Sequence, residues 1–190
     1  MNVPLSWGKC TIFTLSSASG SQWKRLVTPV EDSTNLATSQ GDKLEAKIEG
    51  GENEAVKYKK NTYQLTFSIR KAQGRAQPFA NTDGVVKDEY SILLMPEDPT
   101  TDGFYIERAS ANVQDTFTTA DGAIWQITMD ALSPTKGNTV KWGLVSVTKT
   151  GTGESAANKV GFVENEEMLA EGQATADKTT IAAAEFVEQD

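Results

Sequence analysis

The chain reads as an all-β protein: an antiparallel β-sandwich or barrel of about seven or eight strands with a projecting hairpin, little helix and an acidic C-terminal extension. Three observations predict this. Apolar residues alternate with polar ones at a period of two in run after run, turn signatures rich in Gly, Asp, Asn and Pro separate the runs, and helical periodicity is scarce.

The first two strands are expected in WGKCTIFTL, residues 7–15, and SQWKRLV, residues 21–27. In DKLEAKIE, Leu44, Ala46 and Ile48 alternate with Lys43, Glu45, Lys47 and Glu49, and Gly50-Gly51 then leads into a second extended run from Glu52. Two glycines between such runs supply the positive backbone angles of a tight turn, so a hairpin is predicted, with charges pairing across its strands. Val56 and Tyr58 sit on the opposite parity from Tyr63, Leu65, Phe67 and Ile69. A bulge or a change of sheet within residues 59–61 would restore the core face.

Tyr63–Ile69 is the clearest strand, with four apolar side chains on one face. EYSILLMP carries apolar residues on both parities, which predicts a central strand covered on both faces and stopped by Pro96. A strand from Phe104 to Phe117, a turn at Asp121-Gly122, the alternating AIWQITMDAL, a turn at residues 134–138 and TVKWGLVSVTK then form an antiparallel meander, the last strand slipping phase after Gly143. RAQPFANTDGVV, residues 75–86, is a place for one short helix.

Charge divides the chain unevenly. Residues 151–190 hold nine acids against Lys159 and Lys178, and so carry seven of the eight net negative charges, leaving the body nearly neutral. The chain is therefore expected to comprise a β domain over 1–150 and an acidic extension over 151–190, partly disordered or ordered by a partner, entered through the Gly/Ser/Thr-rich stretch 148–158. Within the extension NEEMLAEGQA is a weak helix candidate capped by Asn165 and interrupted by Gly172. Neither part has the net basic footprint of a nucleic-acid-binding protein.

Chemistry is sparsely encoded. With no histidine and Cys10 as the single cysteine, the usual zinc ligand sets and an intrachain disulfide are excluded, and Cys10 is expected to be a small buried apolar residue. The adjacent acids Glu31-Asp32, Glu97-Asp98 and Asp88-Glu89 are best read as solvated turn residues. EGGENE lacks the ligand spacing of a calcium loop, and GTGES lacks the lysine and spacing of a phosphate loop. Trp7, Trp23, Trp125 and Trp142 fit strand anchors, or exposed platforms for sugars. Lys57, Lys59 and Lys60 with Tyr58 and Tyr63 could grip a nucleic-acid backbone, but acids crowd the same ribbon. No catalytic set, metal site or cofactor is expected. The segment MNVPLSWGKCTIF puts no positive charge ahead of an apolar run, and no apolar stretch reaches spanning length, so neither a secretory signal nor a membrane helix is expected.

The order of these pieces resembles the tail tube, or major tail, proteins of long-tailed bacteriophages, which are related to the tubes of contractile injection systems. The likeness covers residues 5–148: WGKCTIFTL, the polar loop PVEDSTNLATSQGDKLEAKIEGGENEAV, the long strand YQLTFSIRK, then DGVVKDEYSILLMPEDP and the meander ending FTTADGAIWQITMDALSP. It implies a non-enzymatic structural virion protein that joins other copies of itself into hexameric rings. The rings stack into a hollow tail tube through which DNA passes without specific binding. It further implies contacts with other tail proteins, no membrane, and residence in the virion tail after assembly in the host cytoplasm. A hairpin reaching the neighbouring ring is implied for residues 38–60, with Lys47, Glu49, Glu52, Glu54, Lys57 and Lys59 as inter-subunit residues. The alternative is a non-catalytic β-sandwich binding module, an adhesin or carbohydrate binder.

Overall fold

The computed structural model describes residues 4–150, 157–165 and 180–189. Among the described residues thirteen strands form: β1 Thr11–Ser16, β2 Trp23–Arg25, β3 Asn35–Ser39, β4 Lys43–Lys47, β5 Asn53–Tyr58, β6 Thr62–Arg70, β7 Asn81–Thr82, β8 Val85–Met95, β9 Gly103–Thr118, β10 Gly122–Ala131, β11 Val140–Thr150, β12 Ala157–Glu164 and β13 Thr180–Glu188. No helix forms among the described residues. Residues 81–86 are a tight hairpin rather than a helix, because Asp83 and Gly84 both take positive φ, 49° and 84°, and turn β7 back onto β8.

Eleven strands share one sheet in the order β3-β6-β10-β9-β11-β12-β13-β2-β1-β8-β7, and β8 also pairs with β9. That additional pairing closes β9, β11, β12, β13, β2, β1 and β8 into a barrel. The second half of β9 leaves β11 and pairs with β10, so β10, β6 and β3 extend as an open wing. Every pairing is antiparallel except β13 with β2.

Two cores follow from this double use of β8 and β9. Phe13, Trp23, Leu93, Tyr105, Val145, Val160, Phe162 and Phe186 fill the barrel, one or more from each of its strands. Their chain neighbours Ile12, Ile92, Phe104 and Ile106 point the other way and pack with Leu65, Phe67, Ile69, Trp125, Ile127 and Met129 of the wing. The two-sided covering expected for EYSILLMP is thus observed, with Ile92 and Leu93 both fully buried in different cores.

The apolar phase shift in β11 has the same origin. Val140 belongs to the wing core and Val145 to the barrel core, while the pairing of β11 with β9 and then β12 runs without irregularity. The strand does not slip; it passes from one core to the other.

The sheet does not divide at residue 150. β11 runs to that residue and pairs with β12, β12 pairs with β13, and β13 closes the barrel against β2. Val160, Phe162 and Phe186 are at most 6 % exposed. Gln189 fastens the end of the chain, its Nε2 donating to the Ala76 carbonyl at 2.8 Å. A boundary at 150 therefore cuts through the barrel, whose core takes Val160, Phe162 and Phe186 from beyond that residue. The expected helix after Asn165 lies outside the described residues, as do residues 151–156 and 166–179 of the 151–190 extension expected to be partly disordered or ordered by a partner.

Candidate functional site

β4 and β5 form a two-stranded sheet of their own. All of their residues are exposed. Gly50 and Gly51, at φ 101° and 88°, make the turn, which is the conformation their lack of a side chain permits. At the base, Lys59 N donates to the Asp42 carbonyl at 2.9 Å and Lys59 Nζ meets the Asp42 carboxylate at the same distance. Gly41 is required there, since a Cβ at that position would lie 2.2 Å from the Lys59 carbonyl oxygen. The parity change at residues 59–61 is thus a change of sheet, from the hairpin into β6.

Among the described residues the Lys59–Asp42 pair at the base is the one ion pair that joins the two arms of the hairpin; none forms between β4 and β5 themselves. Tyr58 stands opposite Lys43, Val56 opposite Glu45, and Asn53 opposite Lys47 after a register shift. Glu45 instead pairs along its own strand, with Lys43 and with Lys47 at 3.5 Å, and the Lys43 hydrogen bond chiefly holds its carboxyl below the usual range. Among the described residues Glu49, Glu52, Glu54 and Lys57 make no ion pair. Of the six residues implicated by resemblance, only Lys47 and Lys59 have an ion-pair partner among the described residues. Leu44, Ile48, Val56 and Tyr58 are each about half exposed, so both faces of the ribbon are amphipathic and uncovered.

The outer face of the wing has different chemistry. Register aligns Asn35, Thr66, Thr128 and Asn112 in one row, Ala37, Gln64, Asp130 and Ser110 in the next, and Ser68, Gln126 and Gln114 in a third. These are hydroxyls and amides with a single carboxylate. Charges gather at the margins as neutralised pairs: Glu89 receives Arg108 in a two-pronged contact of 2.8 and 2.9 Å, and Arg70 contacts the Asp121 carbonyl and carboxylate. The alternation of TYQLTFSIR and AIWQITMDA carried this signal, but reading its polar half as one surface requires the β3-β6-β10-β9 order.

Among the described residues no three acids or cysteines converge as a metal site would need. Asp98 caps its own loop through Thr100, which holds its carboxyl below the usual range, and Glu97 accepts a hydrogen bond from Lys9 N. The thiol of Cys10 is half-buried, 3.6 Å from the Thr34 hydroxyl. Trp23 and Trp125 are core residues, whereas Trp7 and Trp142 are 76 % and 37 % exposed. Neither protein-family models nor curated protein sequences give any match to the chain.

Proposed function

We propose that the chain is the subunit of a hollow tail tube, assembled as stacked hexameric rings that conduct DNA. The observation that carries the reading is the pairing of two unlike surfaces on one fold. One is a broad sheet face of hydroxyls and amides, and the other is a fully exposed hairpin whose charged and apolar groups have few partners at home.

Lysines and arginines that neutralise phosphates supply nearly all non-specific affinity for DNA. A surface without free cations therefore lets a duplex slide, and the β3-β6-β10-β9 face suits the lumen. The hairpin suits the contact between rings. Each exposed ion pair contributes only about 0–1 kcal/mol, but a ring repeats it around its circumference, and multivalency multiplies weak contacts. The inter-subunit assignment of Lys47, Glu49, Glu52, Glu54, Lys57 and Lys59 is part of this proposal.

Sedimentation velocity of the purified full chain over a wide concentration range tests the reading. It predicts large, discrete assemblies as concentration rises, and a monomer at every concentration would contradict it. A second reading, a carbohydrate-binding module, is favoured by the exposure of Trp7; it predicts quenching of indole fluorescence by glycans.

A further inference from the structure

Phe117 and a cavity beside Trp142 lie at opposite ends of one strand. Phe117 is 73 % exposed, next to the turn that joins β9 to β10. Its parity is that of Ala109, Ala111 and Val113, all buried. The β9–β10 ribbon outruns the core, however, and leaves a ring of core type standing in water.

At the start of β9 a cavity of about 180 Å³ opens between Trp7, Cys10, Leu94, Pro96, Phe104 and Trp142, with Asp102, whose carboxylate accepts a hydrogen bond from Asn165 at 2.6 Å, also on its wall. Trp142 meets Phe104 edge-on, with centroids 5.4 Å apart. The cross-strand partners Leu144 and Val163, exposed by 46 % and 45 %, extend the apolar surface beside it. An apolar cavity of roughly 150 Å³ already accepts a benzene ring, so a phenyl side chain fits this one. At about 3.3 Å per residue, Phe104 and Phe117 are roughly 40 Å apart along β9.

We infer that Phe117 of one copy of the chain docks into the Trp7–Trp142 cavity of a second copy. The inference rests on the tube reading and gives that tube a specific contact between subunits. A knob at one end of a strand and a socket at the other make a heterologous, head-to-tail contact. Each added copy presents a fresh knob or socket, so the contact continues past the dimer, into a ring where the rotation closes and into an open stack where it does not. Edge-on aromatic packing inside the socket supplies its direction. A two-fold pair would use both features at once and stop at the dimer.

The test uses the full chain carrying Ser6→Cys at the socket, Ala120→Cys beside the knob and Cys10→Ala, treated with a short bismaleimide cross-linker. The expected result is a denaturing-gel ladder of trimers and longer chains, absent from each single-thiol control. Phe117→Ser, at an exposed position, should leave the unfolding midpoint in place and raise the concentration needed for assembly at least tenfold. If Phe117→Ser assembles like the native chain and no ladder forms, the docking is wrong while the tube reading stands. A ladder that stops at the dimer overturns the head-to-tail contact. Quenching of Trp7 and Trp142 by glycans in an unassembled protein assigns the socket to a saccharide and overturns it as well. A native chain that never assembles rejects docking and tube together.

Discussion

Gln64 donates a 2.8 Å hydrogen bond from its amide to the carboxylate of Asp130, joining neighbouring strands β6 and β10. Asp130 is the single charged residue among the outward positions 64–68, 126–130 and 110–116 of the wing, so this bond engages the one anion on that stretch of the face. Placing cations on this face should reverse its behaviour. Gln126→Lys with Thr128→Lys is expected to create DNA affinity that falls with salt at a log–log slope of about −1.8, the value for two phosphate contacts. Fluorescence anisotropy of a labelled duplex against salt concentration measures it, with the native chain as the reference.

The last strand should be as necessary as any other. Phe186 is 6 % exposed and meets Phe13 edge-on at 5.1 Å inside the barrel. Phe186→Ala is expected to cost about 3–5 kcal/mol, read by chemical denaturation. Truncation at residue 150 should abolish cooperative unfolding, because it removes β12 and β13 from a closed barrel.

That prediction marks where the sequence stops being legible. Alternation at Tyr63–Ile69 and Trp125–Met129 identifies strands because one face of each is buried and the other wet. The hairpin turn at Gly50-Gly51 is legible because few residues tolerate its backbone angles. β12 and β13 are not. IAAAEFVE has little amphipathic contrast, and its parallel partner β2 lies at the other end of the chain, beyond any local signal. The hairpin's charges pair along β4 and at its base rather than between the strands, because Tyr58, Val56 and, after the shift between Ala46 and Lys47, Asn53 stand opposite Lys43, Glu45 and Lys47. Phe117 matched a core parity whose core ends before it.

Lys141 is a buried cation with a specific counter-charge. Its side chain is 1 % exposed, 3.3 Å from the Glu107 carboxylate and over the Tyr105 ring. Removing one member of an ion pair costs about 3–5 kcal/mol where the charge left behind is buried, and Glu107 is the more exposed member, at 22 % against 1 % for Lys141. Glu107→Ala should therefore destabilise the protein more than Lys141→Met. Thermal unfolding of the two variants side by side checks the order.

Acid should loosen the contact between Glu89 and Arg108. The Arg108 hydrogen bonds, opposed by desolvation and aided by its charge, hold the Glu89 carboxyl below its ordinary range. A carboxyl lowered in the folded state stabilises it above the unfolded-state pKa, and that contribution is lost as pH falls through the lowered value. Glu89→Gln should be less stable than the native chain at neutral pH, and the two should converge below the ordinary glutamate range. Denaturation midpoints across that interval decide it.

We propose that the wing faces a lumen and the hairpin bridges rings. Electron microscopy of the concentrated full chain, beside a variant deleted from Glu49 to Ala55, tests both parts together. Hollow six-fold tubes are expected from the native chain, with Gln126 and Thr128 facing the channel, and folded but unstacked protein from the deletion. Normal tubes from the deletion, or no hollow assembly from the native chain at any concentration, would contradict it.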